Sequence, residues 1–563
     1  MHSVMIVLFG IAGMCFGWFV YSKFIATRIY RLDPDFQTPA HELKDGVDYV
    51  PTNKFVLWGH HFTSVAGAAP IVGPAIAVYW GWVPALLWVV LGTIFFAGVH
   101  DMGALWASAR HKGKSIGALS ESVIGKRSRA LFMVVIFLVL LMVNAVFGVV
   151  IANAFVSTPS AVVPAWAAIV VALIIGQLIH RGFNLMILCF FGVIALYFSV
   201  YAGSVFPLEL PEQIMGLGAK PSWIVILFMY AAIASLLPVW TLLQPRDFIN
   251  GVQLIVGLIL LYGAVFIFMP DITAPAFNRQ LAEGTPSMVP LLFVTIACGA
   301  VSGFHGIVSS GTSSKQLNKE PDARFVGYLG AVGEGSLALI TIVAVSGVAL
   351  ASTPEAWREI YTSLGAGSTG AFIQGGANLV NQGWGIPVGF SSTLLAVMVV
   401  LFAGTTMDSG VRLQRYIIQE WGDIYNLKWL KNNVVATLTA VGLCLWLAFG
   451  AGSAPGEGGM EIWPLFGSTN QILASLTLLV LTVLLIKLGR PAYYTGIPMV
   501  FVLVMAFLAG VIKLGEYYRA GDWTLVIIDS IVLVISVLVM LEAISVIIKN
   551  KRTATPAPVS TET

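Results

Sequence analysis

The sequence is poor in charge and in cysteine. Only 10% of its 563 residues are Asp, Glu, Lys or Arg, whereas soluble globular proteins carry roughly 25%. It has four cysteines and no C-x-x-C pair, which argues against a disulfide framework. Hydrophobic residues make up 58% of the chain. This composition indicates an integral membrane protein.

The sequence also lacks the patterns of an enzyme or of a nucleic-acid-binding protein. It contains no H-x-x-x-H or H-E-x-x-H pair, the spacing that places two zinc ligands on one helix face. Its basic residues lie in short connections and are not interleaved with aromatic residues on a polar face, as nucleic-acid binding would require. We therefore expect no catalytic residues and no nucleic-acid partner. The expected surroundings are a lipid bilayer.

Long apolar segments recur along the whole chain. They are about 20 residues long, whereas a membrane β-strand needs only ~9–11. The fold class predicted is an all-α integral membrane protein with about 15 transmembrane helices. The predicted spans are approximately 4–26, 55–80, 83–109, 129–156, 161–179, 185–206, 222–241, 248–269, 289–312, 326–350, 384–403, 433–451, 462–486, 493–512 and 524–548.

Charge in the connections orients these spans. Cytoplasmic loops carry an excess of Lys and Arg. With the N-terminus outside and the C-terminus inside, most of the 30 basic residues face the cytoplasm. The exceptions are Lys220, Arg279, Arg358, Lys513 and Arg519. The pattern predicts a multi-pass protein of the bacterial cytoplasmic (inner) membrane, with the N-terminus outside and the C-terminus inside.

The parity of the spans predicts an inverted repeat. Spans two to six start inside and spans seven to eleven start outside, which is the arrangement of a five-plus-five core. The resulting division is an extra helix at 1–26, a cytoplasmic loop at 27–54, a first repeat at 55–206, a second repeat at 222–403, four additional helices at 433–548 and a disordered cytoplasmic tail at 549–563.

Glycine and proline interrupt span two, and more weakly span seven. Proline removes an intrahelical hydrogen bond and frees a carbonyl, which in lipid needs a cavity or a ligand. Paired broken helices mark the substrate site of many transporters, although small residues also serve close helix packing. The predicted substrate-binding residues are Ala66, Gly67, Ala69, Pro70, Gly73 and Pro74 in span two, and Ala234, Ser235 and Pro238 in span seven.

Four histidines lie at similar depth inside the predicted spans. Ionisable residues at membrane depth are expensive and usually functional. Three interpretations stay open: hydrogen bonds to backbone carbonyls, a proton relay tuned by a neighbouring carboxylate, or a zinc-like divalent metal. The candidate metal ligands are His60, His61, His100 and His305. The candidates for ion or proton coupling are His60, His61, Asp101, His305, Ser309, Ser310 and Glu334. The serine hydroxyls also permit a sodium site.

Several motifs resemble those of the carbon starvation protein A family. They are Trp58-Gly59-His60-His61-Phe62 with Gly73-Pro74, Gly98-Val99-His100-Asp101, Gln244-Pro245-Arg246-Asp247, Ser302-Gly303-Phe304-His305-Gly306, and Trp463-Pro464-Leu465-Phe466-Gly467. The resemblance covers roughly residues 4–548. It implies uptake of peptides, or of pyruvate in some members, by bacteria short of carbon. It also implies affinity with the amino acid–polyamine–cation superfamily, which has a five-plus-five inverted-repeat core.

The leading hypothesis is a proton-coupled importer of small peptides or pyruvate that works by alternating access. Alternatives are a sodium-coupled transporter, a metal-binding membrane protein with a redox or sensory role, or a channel. No cofactor is certain from the sequence, and a bound divalent metal is the one candidate.

Overall fold

The computed structural model describes residues 2–46, 48–214, 216–238, 241–366, 369–451, 456 and 458–553. Within this part of the chain, 13 helices are long and apolar enough to cross a membrane, and a bent pair of shorter helices makes a fourteenth span. The predicted class, an all-α integral membrane protein, is confirmed.

The helices of the bundle are numbered here in chain order. They are α1 (Ser3–Ile29), α2 (Lys54–Val65), α3 (Ala69–Trp80), α4 (Trp82–Arg110), α5 (Lys126–Ser157), α6 (Pro159–His180), α7 (Leu185–Val205), α8 (Ala219–Leu236), α9 (Leu243–Phe268), α10 (Met288–Thr295), α11 (Gly303–Gly311), α12 (Arg324–Ser346), α13 (Thr369–Trp384), α14 (Val388–Ile424), α15 (Asn433–Gly450), α16 (Trp463–Lys487), α17 (Tyr493–Ala520) and α18 (Trp523–Thr553).

Short elements occupy the connections. The helical ones are Pro39–Glu42, Ile116–Val123, Ser313–Gln316, Pro354–Ile360, Lys428–Lys431 and Gly458–Glu461. A small antiparallel hairpin pairs Gln213–Ile214 with Leu217–Gly218. Segments of π-helix lie inside α1, and also at Thr93–Ala97 in α4 and Arg324–Tyr328 in α12.

Span two breaks where its glycines and prolines predict. Asn53 caps α2, because its side chain accepts a hydrogen bond from the Phe55 N–H at 2.9 Å. Helix α2 ends at Val65, and α3 leaves at 50° to it. Gly67 lies in the break, where a Cβ would come within 2.8 Å of the Thr406 hydroxyl. The break is therefore packed tightly against α14.

The second broken helix is span nine, and the prediction of a break in span seven is wrong. Helix α8 is continuous from Ala219 to Leu236, so Ala234 and Ser235 lie in a regular turn. Pro238 follows the helix end, where its missing N–H costs the helix nothing. The predicted span 289–312 instead divides into α10 and α11, which 296–302 separate.

Three further boundaries differ from the prediction. Helix α14 continues to Ile424, so most of the predicted loop 404–432 is helical. The predicted loop 351–383 contains α13 and the short helix Pro354–Ile360. The predicted tail 549–563 is helical as far as Thr553, and 554–563 lie outside the described residues.

The centre of the bundle is built from paired helices. α5 packs along α14, α4 packs beside α12, and the nearly buried α16 packs against α5 and α11. α9 packs against α2 on the other side. α17 packs on α16, with α18 beside both, while α1 lies against α12. This arrangement places the two broken helices inside the protein.

Candidate functional site

The end of α10 and the second helix break pack against α3, just after the first break. A Cβ on Gly73 would lie 2.5 Å from the carbonyl oxygen of Thr295, the last residue of α10. A Cβ on Gly299, inside the second break, would lie 3.5 Å from Cγ of Pro74. Glycine is needed at position 73 because the backbone at the end of α10 approaches it there. The two breaks are therefore joined through the first two turns of α3.

The structure divides the predicted substrate residues into two groups. Those of span two are all buried in the region of the breaks: Ala66, Gly67, Ala69, Pro70, Gly73 and Pro74. Those of span seven lie at the end of α8, where Arg412 donates to the carbonyls of Ala234 and Leu237 at 3.1 and 2.6 Å. Thr406, beside Gly67, is six residues from Arg412 on α14, about 9 Å along the axis. Both groups therefore lie against α14, but they do not form a single site.

A chain of buried titratable groups joins α4, α11 and α12. His100 Nδ1 lies 2.7 Å from Asp101 Oδ1, and His305 Nδ1 lies 2.8 Å from Asp101 Oδ2. His305 Nε2 lies 3.0 Å from Glu334 Oε2. All four side chains are at most 1% exposed. We call His100, Asp101, His305 and Glu334 the His–carboxylate chain.

Irregular helix segments precede the residues of the His–carboxylate chain. The π-helical segment Thr93–Ala97 directly precedes Gly98, His100 and Asp101, and the segment Arg324–Tyr328 lies one to two turns before Glu334. Such segments shift the helix register and recur at functional sites. His305 lies in the first turn of α11, directly after the second break. The His–carboxylate chain is thus attached to the region of the helix breaks.

His60 and His61 do not join the His–carboxylate chain by hydrogen bonds. His61 is buried, and its Nδ1 lies 2.8 Å from Ser313 Oγ. His60 is partly exposed, and its Nδ1 lies 3.7 Å from Asp247 Oδ2. The two rings diverge, as expected for adjacent positions on a regular helix.

The serine residues after His305 have different surroundings. Ser310 is tied into local structure: its hydroxyl donates to the Gly306 carbonyl at 2.6 Å and accepts from the Ile116 N–H at 2.8 Å. The buried Ser309 hydroxyl has no hydrogen-bond partner among the described residues. Of the two predicted coupling serines, Ser309 is the one with an unused oxygen.

The four candidate metal ligands do not converge. In the part of the chain that the structure describes, no group of three or more His, Cys, Asp or Glu side chains is arranged to hold a metal ion. Both ring nitrogens of His305 face carboxylates, and His60 and His61 face other partners. The residues present do not fit the zinc-like site.

A second buried ionic cluster was missing from the prediction. Arg246 at the start of α9 forms an ion pair with Asp408 of α14. The Tyr230 hydroxyl accepts from Arg246 at 2.7 Å and donates to Asp408 at 2.7 Å. Asp408 was missed because the predicted span ended at residue 403. A charged residue one turn beyond that limit, in a sequence still helical in pattern, was the available signal.

A small cavity adjoins this cluster. It has a volume of about 30 Å³ and lies between α5, α6, α8, α9 and α14. Arg246 and Tyr230 line it, together with apolar side chains that include Phe155, Trp166 and Met407. A cavity of this size holds about two water molecules.

The carbon starvation protein CstA family model matches residues 2–360 and 345–509 of the chain. The Peptide transporter CstA of Campylobacter jejuni is 31% identical over 92% of this chain and 81% of its own length. The Pyruvate/proton symporter BtsT of Escherichia coli K12 is 30% identical over 89% of this chain and 81% of its own length. A crystal structure of the Eremococcus coleocola manganese transporter aligns with a TM-score of 0.47 at 12% identity, covering 91% of this chain and 99% of that one.

Proposed function

The chain belongs to the carbon starvation protein CstA family, and we propose that it is a proton-coupled importer of small peptides or pyruvate. It is a multi-pass membrane transporter and not an enzyme, in keeping with relatives named as a peptide transporter and a pyruvate/proton symporter. The partners we propose are one of these small molecules, protons and the lipid bilayer.

The observation that carries proton coupling is the His–carboxylate chain. Two carboxylates and two imidazoles lie together without exposure to solvent. Charges at membrane depth are costly and usually mark ion or proton pathways. One proton added to or removed from such a cluster changes its net charge by a full unit in a region of low polarity. That change is large enough to favour one packing of the helices over another.

The position of the His–carboxylate chain links its protonation to the broken helices. His305 lies in the first turn of α11, directly after the second break, and Gly303 packs against the Asn470 carbonyl of α16. Asn470 also accepts from the Phe304 N–H at 3.0 Å. A change in charge on His305 therefore acts on the backbone of α11, which begins at the second break. We infer that this contact transmits the coupling.

The helix packing supports an inverted repeat with a different division from the predicted 55–206 and 222–403. The broken helix α2/α3 corresponds to the broken helix α10/α11. Helix α4 corresponds to α12 and α5 to α14, and the two members of each of these pairs pack on each other. α8 then corresponds to α15, and α9 to α16, since α9 packs on α2 and α16 on α11. The hairpin α6–α7 is an insertion in the first repeat. Each pair has opposite direction under the alternating topology, as alternating access by inverted repeats requires.

Sodium coupling is the second candidate, and the Ser309 hydroxyl is what favours it. This buried oxygen has no partner among the described residues, and sodium sites in broken-helix transporters use such oxygens with freed carbonyls. The His–carboxylate chain favours the proton, because histidine titrates near neutral pH whereas sodium needs no imidazole.

The orientation we propose has the N-terminus outside and the C-terminus inside the bacterial cytoplasmic membrane. It rests on the excess of basic residues in alternate connections. Arg110, Lys112 and Lys315 all fall on the proposed inner side, and their partners Glu320, Glu42 and Asp48 lie there with them.

Uptake by proteoliposomes tests the function. Purified protein is reconstituted, and entry of labelled pyruvate or dipeptide is followed with an imposed pH gradient, a sodium gradient or neither. We expect accumulation against a concentration gradient only with the outside acidic. Accumulation that follows the sodium gradient alone would transfer the proposal to sodium, and entry that never exceeds the outside concentration under either gradient would refute active transport.

A further inference from the structure

The guanidinium of Arg246 is only partly used by the protein. Its side chain is 2% exposed. Nη1 makes the ion pair with Asp408 and donates to the Tyr230 hydroxyl. Nε and Nη2 have no hydrogen-bond partner among the described residues. A guanidinium carries five N–H donors, so the three on Nε and Nη2 are not engaged by the protein.

Unpaired donors on a buried cation are costly. Each buried polar group without a partner loses about 1–3 kcal/mol, and charged groups lose more. The protein nevertheless holds this guanidinium rigidly, because Asp408 and Tyr230 both bind Nη1 and also bind each other. A fixed cation with one free edge is the arrangement of a receptor for an anion.

The free edge has the geometry of carboxylate recognition. Nε and Nη2 point in parallel and match the two oxygens of a carboxylate, which gives a bidentate pair. The cavity beside Arg246 is otherwise walled by apolar side chains, among them Trp166 of α6 and Met407 of α14. Among the described residues, Arg246 is the one cationic side chain that lines it, and its unpartnered Nε and Nη2 are fully buried, so a ligand reaches them only when the apolar walls move apart.

We propose that Arg246 binds the carboxylate of the transported substrate, in the space between α6, α8, α9 and α14. The proposal rests on the transport function given above and specifies the chemistry of its substrate: a small organic acid, or a peptide with a free C-terminal carboxylate. Asp408 and Tyr230 are positioning residues, because they hold the guanidinium through Nη1 and leave its other edge to the ligand.

This placement differs from the region of the helix breaks. The cavity is lined by α5, α6, α8, α9 and α14, while the breaks lie on α2/α3 and α10/α11. Helix α14 joins the two, since its Thr406 lies beside Gly67 in the first break and its Met407 lines the cavity.

Equilibrium binding to the purified full-length protein in lipid nanodiscs tests this inference. The probes are pyruvate with its uncharged ester methyl pyruvate, and dialanine with its C-terminal amide. In each pair the second compound, called here the neutral analogue, replaces the carboxylate by an uncharged group. The two pairs distinguish an organic acid from a peptide. We expect one free acid to bind, with its neutral analogue weaker by at least about tenfold, a factor typical of losing one good polar contact.

Arg246→Lys removes the bidentate edge and keeps the charge. We expect its affinity for the free acid to fall at least about tenfold, and its discrimination against the neutral analogue to shrink. The matched control is Arg129→Lys, since Arg129 also forms ion pairs, with Glu121 and Glu420, but lies away from the cavity. This control should retain the wild-type Kd.

The inference is overturned if the neutral analogue binds as well as the acid, a result that needs no variant. It is also overturned if Arg246→Lys, with an unchanged size-exclusion profile, keeps the wild-type Kd. Absence of binding by either acid to the wild type refutes both this site and the proposed substrates. Binding as expected without any effect of a pH gradient on uptake refutes proton coupling alone.

Discussion

The imidazole of His305 lies 3.0 Å from the carboxylate of Glu334, and both side chains are buried between α11 and α12. On its other face the same ring lies 2.8 Å from Asp101. His305 thus bridges two carboxylates from two different helices. A proton on this ring would interact with the carboxylates of α4 and α12 at once, so its gain or loss would affect both helices.

Replacing Glu334 by Gln should uncouple transport from protons. The amide keeps the size of the side chain but cannot carry the negative charge that faces His305. We expect uptake driven by a pH gradient to fall at least about tenfold, while exchange of labelled for unlabelled substrate without a gradient continues. The exposed Glu355→Gln, outside the cluster, is the control and should leave both rates unchanged. Loss of exchange together with uptake in a folded Glu334→Gln protein would contradict a coupling role.

Removing His305 should destabilise the protein through its carboxylates. Asp101 and Glu334 would then be buried without the imidazole between them, and breaking a buried pair costs about 3–5 kcal/mol. Thermal unfolding in detergent should show a lower Tm for His305→Ala. Adding Glu334→Gln to this variant should restore part of the Tm, because one uncompensated charge is removed. His41→Ala, at an exposed hydrogen bond, is the control. Equal Tm losses in the single and double variants would argue against charge as the cause.

The contact between α3 and the end of α10 should not tolerate a methyl group. A Cβ on Gly73 would lie 2.5 Å from the Thr295 carbonyl oxygen. Gly73→Ala should therefore lower stability by about 1–3 kcal/mol, as overpacking does, and slow uptake. Gly59→Ala is the matched control in α2, since no atom lies within 4 Å of its Cβ position. Unchanged Tm and uptake for Gly73→Ala would mean that α3 and the end of α10 separate freely.

The proposed orientation predicts which loops react with thiol reagents. In a variant without the four native cysteines, Glu355→Cys should be labelled by a membrane-impermeant maleimide in intact cells. Lys428→Cys, exposed in the connection between α14 and α15, should react only after the membrane is permeabilised. The opposite pattern would invert the topology derived from the basic residues.

The sequence was sufficient to predict the class of fold and most spans, because apolar length in lipid is a local property. It could not distinguish a helix break from close packing when the signal was small residues alone. Ala234, Ser235 and Pro238 look like a break but end a regular helix. The sequence around Gly299 and Gly303 led to no prediction of a break, yet these residues lie at the second break and at the start of α11. Which reading holds depends on neighbours such as Thr295 and Asn470, which are distant in sequence.

The candidate site was predictable by depth but not by partner. Similar depth grouped His100 with His305, and the structure joins both to Asp101. Depth also grouped His60 and His61 with them, although these residues contact Asp247 and Ser313. Depth fixes height in the membrane, whereas the rotation of each helix about its axis decides which groups meet.

Proton movement accompanying substrate entry tests the central claim most directly. Proteoliposomes loaded with a pH-sensitive dye, without any imposed gradient, receive pyruvate or a dipeptide outside, and internal pH is followed together with substrate uptake. Proton-coupled import predicts internal acidification in proportion to substrate entry for the wild type and none for Glu334→Gln. Substrate entry by the wild type with unchanged internal pH would contradict the account.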